Sequence, residues 1–250
     1  MGIVNLTDNS FLSSSRLGSA DTNTVLNTVA AMLENGADII DIGACSTAPG
    51  NVQISAEEEW VRLGSRLEEL FRTFPEAIFS IDTFYPSTVK NILGISGSLK
   101  HPFIVNDTSS GRIVTSDNDL SDKPSGMLDI IAAEKIPYIA MDRSNDPYSF
   151  FLSFAGTLDR MGVSDWILDP GFGFGKTIEQ NWNILGSLER FKDFGKPVLA
   201  ALSRKRMIYQ PLELTPETCS EQSVYAEKLA VRKGADIIRT HDIKLHFGMK

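Results

Sequence analysis

Eight short apolar runs recur along the chain, and each ends abruptly in a polar or charged residue. The residues that end the runs are Asn5, Asp41, Asp82, Asn106, Asp142, Asp169, Ser203 and Arg239. Strands that are buried on both faces of a sheet read as continuous apolar runs of this kind. Eight such strands alternating with helices predict an α/β fold, a (β/α)8 TIM barrel, whose strand-end polar residues share one cup.

Stretches with helical spacing of apolar residues separate the runs. They cover residues 21–34, 55–71, 87–93, 126–134, 147–161, 177–191 and 215–234. Ser55 and Glu58 have the spacing of a capping box, and Pro216 is expected at the first helical position of the last long helix. Residues 107–125 are polar and are predicted to form a loop at the cup rim. Few residues follow Asp242, so we expect a short final helix.

Length and composition narrow the class of protein. The 250 residues match a single barrel, so residues 1–250 are predicted to form one domain. Cys45 and Cys219 lie far apart without metal-ligand spacing, which favours a reducing compartment. We find no signal peptide pattern and no apolar run of membrane-spanning length, so a cytoplasmic location without a membrane partner is expected. The net charge of −8 argues against nucleic acid as a partner.

Seven motifs at the predicted strand ends occur in an order typical of one enzyme family. They are Met1-Gly2-Ile3-Val4-Asn5, Asp38-Ile39-Ile40-Asp41-Ile42-Gly43, Ser80-Ile81-Asp82-Thr83, Val105-Asn106-Asp107, Asp169-Pro170-Gly171-Phe172-Gly173-Phe174-Gly175-Lys176-Thr177, Ser203-Arg204-Lys205 and Arg239-Thr240-His241-Asp242. Each motif alone is weak, but seven in register along nearly the whole chain are specific. The chain therefore resembles the dihydropteroate synthases, the folate-pathway members of the pterin-binding enzymes.

That resemblance implies a pterin pocket at the strand ends. A pterin presents a hydrogen-bonding edge much like that of guanine. Carboxylates accept hydrogen bonds from such an edge, and an amide both donates and accepts. The residues expected to bind the pterin are Asp82, Asn106, Asp169 and Lys205, with Met141 and Phe174 as apolar walls.

The resemblance also implies an anion site at the end of the eighth strand. Arg239 and His241 precede a helix start there, and they would hold the pyrophosphate of the pterin substrate. Asn5 is the expected ligand of a Mg²⁺ ion that bridges this pyrophosphate. The remaining substrate contacts are expected from Thr47, Ser203 and Arg206.

The implied reaction joins two small molecules. p-Aminobenzoate attacks (7,8-dihydropterin-6-yl)methyl diphosphate, and 7,8-dihydropteroate and pyrophosphate are released. This transfer needs no covalent enzyme intermediate, which agrees with the absence of a recognisable nucleophile–base pair in the sequence. Sulfonamides mimic p-aminobenzoate, so the resemblance also marks the protein as a potential sulfonamide target. A homodimer is possible, because family members commonly dimerise.

Departures from the family pattern are concentrated in the loops. The family has proline and aspartate at Asp8 and Asn9, arginine at Ala48, histidine at Asp142 and glycine at Ala201. The family serine after the Ser-Arg-Lys motif is Arg206 here. That arginine is either a partner for the carboxylate of p-aminobenzoate or a solvated surface residue.

Three isolated residues carry no motif. Cys45 is expected to be a small buried side chain rather than a nucleophile. His101 and His246 are both expected on the surface.

Three functions stay open at this point. The first is an active dihydropteroate synthase with altered loops. The second is a non-catalytic or differently specific pterin-binding paralogue, which the altered loops favour. The third is a methyltransferase of the same superfamily. The Ser203-Arg204-Lys205 and Arg239-Thr240-His241 motifs weigh against the third, because methyl transfer has no pyrophosphate to hold.

Overall fold

A ring of eight parallel strands forms the centre of the molecule. The computed structural model describes residues 1–7, 17–18, 20–45, 53–115 and 119–246. Its strands are β1 (Gly2–Asn5), β2 (Ile39–Gly43), β3 (Ile78–Asp82), β4 (Phe103–Asp107), β5 (Arg112–Val114), β6 (Leu120–Pro124), β7 (Tyr138–Met141), β8 (Trp166–Asp169), β9 (Leu199–Ala200) and β10 (Ile237–Ile238). Strands β1, β2, β3, β4, β7 and β8 form a parallel sheet in that order, and β9 pairs with β10. Bridges from Leu168 to Val198 and from Gly2 to Thr240 join the two sheets into a barrel, which confirms the predicted fold.

Successive side chains along each strand point alternately into the barrel and outward toward the helices. Interior residues at the amino-terminal end form their own apolar cluster of Met1, Ile139, Ile167, Leu199 and Ala201. Outward-facing residues such as Ile40, Phe79 and Val105 belong to the larger core beneath the helices. Since side chains alternate with a period of two, the inward positions nearer the carboxyl ends carry the polar residues.

Helices surround this barrel. They are α1 (Thr22–Glu34), α2 (Ala56–Thr73), α3 (Pro86–Leu99), α4 (Met127–Glu134), α5 (Pro147–Met161), α6 (Ile178–Gly186), α7 (Arg206–Tyr209), α8 (Ser220–Arg232) and α9 (Ile243–His246), with 3-10 helices at Leu188–Phe194 and Gln210–Leu212. The predicted capping box is present, since the Ser55 hydroxyl accepts from the Glu58 amide and the Glu58 carboxylate accepts from the Ser55 amide. Within the described residues, the final helix is one turn long, as expected.

Three helix predictions are wrong in their bounds. Helix α3 continues to Leu99, because its exposed Gly94 and Gly97 do not break it. Residues 177–191 divide into α6 and a 3-10 helix at the Ser187 C-cap. Pro216 lies before α8 and not within it, in a turn where the Thr218 amide donates to the Thr215 carbonyl.

The predicted rim loop contains ordered structure. Strands β5 and β6 form an antiparallel hairpin within residues 107–125. The hairpin could not be predicted from the sequence, because its strands are short and lack the alternation of apolar and polar residues that indicates a strand.

Both isolated histidines were predicted wrongly. The His101 side chain is buried and its ring stacks on Phe71, with ring centroids 4.4 Å apart. The Nε2 atom of His246 lies 2.6 Å from the carboxylate of buried Glu227 on α8. Neither partner is near in sequence, so no local motif revealed them. Cys45 is buried, as expected, and neither cysteine forms a disulfide.

No helix in the described ranges is long and apolar enough to cross a membrane.

Candidate functional site

An arginine held between two carboxylates forms the floor of the cup. Arg239, which follows β10, donates from Nε to Asp41 Oδ2 at 2.6 Å and from Nη2 to Asp82 Oδ2 at 2.9 Å. The Asn106 amide also donates to the Asp41 carboxylate, at 3.2 Å. We call Asp41, Asp82, Asn106 and Arg239 the floor cluster. Asp41, Asp82 and Asn106 lie on β2, β3 and β4, and Arg239 reaches them from the end of β10, across the closure of the barrel.

Asp41 is the member of the floor cluster for which the sequence predicted a strand-end position in the cup but no binding role. Its side chain is fully buried, and β2 continues beyond it to Gly43. Gly43 pairs in register with Asp82, which places Asp41 one layer deeper in the barrel. The available signal was a carboxylate inside an apolar strand, since a buried charge of this kind requires a partner.

Burial and charge oppose each other in the floor cluster. Burial raises the pKa of Asp82 to about 7; the charge of Arg239 opposes this shift and that of Asp41 adds to it. Burial works against the charged form of Arg239, but the charges of Asp41 and Asp82 outweigh it and raise the arginine pKa. Arg239 therefore remains a cation, and its charge favours the ionised form of Asp82 against the effect of burial.

A buried carboxylate links Asp82 to the helix that follows it. Glu59 of α2 accepts hydrogen bonds from the hydroxyls of Thr83, at 2.7 Å, and Thr88, at 2.6 Å. Thr83 in turn accepts from the Tyr85 amide at 3.1 Å. Burial raises the pKa of Glu59 to about 7. This network fixes the turn directly after Asp82, and sequence reasoning missed it because Glu59 lies within an ordinary charged helix segment.

The opposite wall combines Asp169, Lys205 and two apolar residues. Asp169 Oδ1 accepts from the Gly171 amide at 2.8 Å, and burial raises the Asp169 pKa while Lys205 and Arg239 oppose that shift. Lys205 Nζ donates to the Phe172 carbonyl and lies 4.6 Å from the centroid of the Phe174 ring. Burial lowers the pKa of Lys205 to about 8. Met141 is buried at the end of β7.

A tight turn after β8 gives this wall its shape. Gly173 has φ +82°, and a Cβ atom there would lie 2.7 Å from Lys205 Cδ. Only glycine combines that backbone conformation with so close an approach of the lysine stem. The glycine-rich segment after β8 is therefore a tight turn against Lys205.

Lys176 holds the same turn from beneath. Its side chain is fully buried, and Nζ donates to the carbonyls of Asp142, Gly171 and Phe174 at 3.0–3.2 Å. Burial lowers the pKa of Lys176 to about 8. The Asp142 carboxylate accepts from the amide and hydroxyl of Ser144 and lies 3.9 Å from Lys176 Nζ. Sequence reasoning gave Lys176 no role, because its three carbonyl partners appear only once the turn has folded.

Beside the floor cluster, His241 is held in a neutral form. Its backbone amide donates to the Ser203 hydroxyl at 3.2 Å. Burial, reinforced by the charge of Arg239, lowers the pKa of His241 to about 3. Its buried Nδ1 atom has no hydrogen-bond partner within the described part of the chain. An unsatisfied nitrogen beside a cation is a suitable hydrogen-bonding group for an anionic ligand.

The Ser-Arg-Lys segment separates into three roles. Ser203 supports His241 and Lys205 faces Phe174, as above. Arg204 forms a bidentate ion pair with Asp242, with N–O distances of 2.6 and 3.0 Å, and thereby fastens the segment to the chain after β10. Arg206, at the first position of α7, is exposed.

The predicted metal ligand Asn5 lies within the described residues, whereas the predicted loop residues do not. Asn5 is half-buried at the end of β1, in register with Gly43 and on the strand next to the Thr240 bridge. Thr47 lies outside the described residues, as do Asp8, Asn9 and Ala48. The described residues contain no group of three or more His, Cys, Asp or Glu that could hold a metal ion.

Comparison with known proteins identifies the family. A model of the pterin binding enzymes matches residues 1–241.

The chain belongs to the pterin-binding enzyme family.

Within this family, the chain is similar to dihydropteroate synthases. It is 32% identical to that of Bacillus subtilis, covering 98% of this chain and 83% of the relative. It is 30% identical to that of Escherichia coli, covering 98% of this chain and 86% of the relative. These matches confirm the resemblance that the motifs predicted.

Solved structures of the family show the same fold. The Yersinia pestis dihydropteroate synthase in complex with a sulfonamide drug has a TM-score of 0.83 at 29% identity, covering 98% of this chain and 88% of that one. The Xanthomonas albilineans enzyme with 4-aminobenzoic acid has a TM-score of 0.81 at 30% identity, covering 98% and 87%.

Proposed function

We propose that this protein is a dihydropteroate synthase, which condenses (7,8-dihydropterin-6-yl)methyl diphosphate with p-aminobenzoate. The observation that carries the proposal is the convergence of Asp82, Asn106, Asp169 and Lys205 on one cup in a pterin-binding enzyme. Two carboxylates, an amide and an ammonium group match the donors and acceptors of a pterin edge. Each charge-assisted hydrogen bond contributes about 1.5–3 kcal/mol.

Relatives with bound ligands support this choice of substrates. The Xanthomonas albilineans dihydropteroate synthase has been crystallised with 6-chloroguanine, a guanine analogue, together with indole-2-carboxylic acid. The same enzyme has also been crystallised with 4-aminobenzoic acid and with 7,8-dihydropteroate. By analogy, we propose that a guanine-like ring binds in the cup formed by Asp82, Asn106 and Asp169.

Binding of the pterin requires a change of partners at Asp82. Arg239 now donates to Asp82 Oδ2, so the pterin edge shares or replaces that hydrogen bond. Asp41 lies deeper and keeps Arg239 in the site through its Nε atom. The Asp41 carboxylate thus keeps Arg239 in the cup when Asp82 forms its hydrogen bonds with the substrate instead.

The reaction itself is a displacement at carbon. The amine of p-aminobenzoate forms the new N–C bond to the methylene group and loses a proton, while the C–O bond to the pyrophosphate breaks. Arg239 donates charge-assisted hydrogen bonds to the developing pyrophosphate, and neutral His241 supplies a further hydrogen bond from its ring. No enzyme group becomes covalently attached.

Among the described residues, Asn5 is the one that would hold a magnesium ion in this scheme. A single protein oxygen at the end of β1 is consistent with Mg²⁺ that takes its other ligands from phosphate oxygens and water. When bound, Mg²⁺ would neutralise charge on the pyrophosphate.

Product formation tests the proposal. Purified protein is incubated with Mg²⁺, dihydropterin pyrophosphate and p-aminobenzoate, and dihydropteroate is detected by chromatography. Product that depends on both substrates supports the synthase. Folded protein that binds the pterin in calorimetry but forms no product supports instead a non-catalytic paralogue, the alternative favoured by the change at Asp142.

A further inference from the structure

A buried polar stripe lies along the inner face of α8. Cys219 at the N-cap, Ser223 and Glu227 follow one another at a spacing of four residues, so they share one face of the helix. All three residues are fully buried. A buried carboxylate is costly to desolvate, and an apolar side chain of similar size would pack there at least as stably. Glu227 therefore serves something other than the packing of α8.

The Glu227 carboxylate faces groups on two other segments. His246 Nε2 of α9 lies 2.6 Å from Glu227 Oε2. Glu227 Oε1 has no hydrogen-bond partner among the described residues. Burial raises the pKa of Glu227, while His246 and the neighbouring Thr240 hydroxyl oppose this shift and the charge of Asp242 adds to it. The carboxylate thus lies between α9 and the segment that follows β10.

Thr240 connects this carboxylate to the turn that carries His241. Thr240 is buried and directly follows Arg239, and its Oγ1 atom accepts from the Asp242 amide at 3.1 Å. The same hydroxyl lies 3.4 Å from Ser203 Oγ, which accepts from the His241 amide at 3.2 Å. A continuous set of polar contacts therefore runs from α8 to the two groups that we assign to the pyrophosphate.

Ser223 holds the segment after β9 from the same face of α8. Its hydroxyl accepts from the Arg204 amide at 2.9 Å. Arg204 has φ +54°, a conformation that residues with a Cβ atom adopt rarely. Helix α8 thus contacts both segments of the anion site, one through Ser223 and the other through Glu227.

We propose that Glu227 is a positioning residue of the pyrophosphate site, which acts through Thr240 on the turn that carries Arg239 and His241. The buried acceptor fixes the direction of the Thr240 hydroxyl, and His246 holds that acceptor in place. This inference rests on the proposed synthase function, because that function assigns the pyrophosphate to Arg239 and His241.

A double-mutant cycle tests the connection between Glu227 and Thr240. Calorimetry measures the binding of inorganic pyrophosphate and, separately, of 6-hydroxymethylpterin to the wild type, Glu227→Ala, Thr240→Val and the double variant. Each single substitution should raise the dissociation constant for pyrophosphate roughly 2–12-fold, as for one lost hydrogen bond, with little change in that for the pterin. The double variant should lose no more affinity than either single variant, because both substitutions remove the same contact.

Conservative variants separate positioning from folding. Glu227→Gln keeps an acceptor oxygen and Thr240→Ser keeps the hydroxyl, so both should retain wild-type affinity for pyrophosphate. The exposed Glu221→Ala on the same helix is the matched control and should also resemble the wild type. If Glu227→Ala does not fold, the comparison of Thr240→Val with Thr240→Ser decides the question alone.

Three results would overturn the inference. One is wild-type affinity for pyrophosphate in Thr240→Val. Another is an equal loss of affinity for pyrophosphate and pterin in Glu227→Ala, which indicates a purely structural role. The third is the absence of pyrophosphate binding by the folded wild type. A wild type that makes no dihydropteroate overturns the proposed function, whereas the pyrophosphate cycle still decides the inference, because it needs no turnover.

Discussion

Replacement of Asp41 by asparagine tests the role of the floor cluster. The substitution preserves size but removes the carboxylate that accepts Arg239 Nε at 2.6 Å and the Asn106 amide at 3.2 Å. Arg239 keeps its bond to Asp82, so the loss is smaller than the roughly 3–5 kcal/mol for a fully broken buried ion pair. We expect one charge-assisted hydrogen bond to be lost, about 1.5–3 kcal/mol of the free energy of unfolding.

Thermal unfolding measures this loss directly. A chain of this size changes its Tm by about 2–4 °C per kcal/mol, so Asp41→Asn should lower the Tm by roughly 3–12 °C. Without Asp41, Arg239 pairs with Asp82 alone, and this competes with the pterin. The dissociation constant for the pterin should therefore rise in calorimetry.

The control is Asp159→Asn, because Asp159 is exposed on α5. An unchanged Tm and an unchanged pterin affinity for Asp41→Asn would refute the claim that Asp41 positions Arg239. A loss of stability without any loss of pterin affinity would limit Asp41 to a structural role.

Three further predictions concern the surrounding groups. Folding raises the pKa of Glu59 from 4.5 to about 7, so the stability that Glu59 contributes is full below pH 4.5 and is lost as the pH rises toward 7. The Glu59→Gln variant keeps an acceptor for Thr83 and Thr88 but carries no charge. In denaturant titrations it should therefore have a free energy of unfolding up to about 3 kcal/mol higher than the wild type at pH 8, and no higher at pH 4. Lys205→Gln should weaken pterin binding about 10–150-fold in calorimetry while p-aminobenzoate retains its KM. Gly173→Ala should reduce kcat/KM and lower the Tm, because the new Cβ atom meets the Lys205 stem at 2.7 Å and φ is +82°; wild-type values for both would contradict the proposed packing.

The barrel could be predicted because its strands are buried on both faces. Apolar runs that end in polar residues marked every strand of the ring, and the strand-end positions of Asp82, Asn106 and Asp169 followed from the runs. The rim hairpin β5–β6 could not be predicted in this way, because its strands face water and need no apolar pattern.

Parts of the site depend on contacts that a linear pattern does not contain. Asp41 was predicted at a strand end in the cup but received no binding role, because its bonds to Arg239 and Asn106 exist only in the closed barrel. Lys176 and Glu59 became recognisable only through partners on other elements. Predictions for Thr47 and Ala48 stay predictions, because both residues lie outside the described ranges.

Pterin binding by the wild type and by Asp169→Asn tests the central claim most directly. The substitution leaves an oxygen for the Gly171 amide, so the turn should fold normally, but it removes the charge facing the pterin. Calorimetric titration with 6-hydroxymethylpterin should show binding by the wild type and a dissociation constant roughly 10–150-fold higher for Asp169→Asn. Equal affinity in both proteins, or no pterin binding by folded wild type, would contradict a pterin site at the mouth of this barrel.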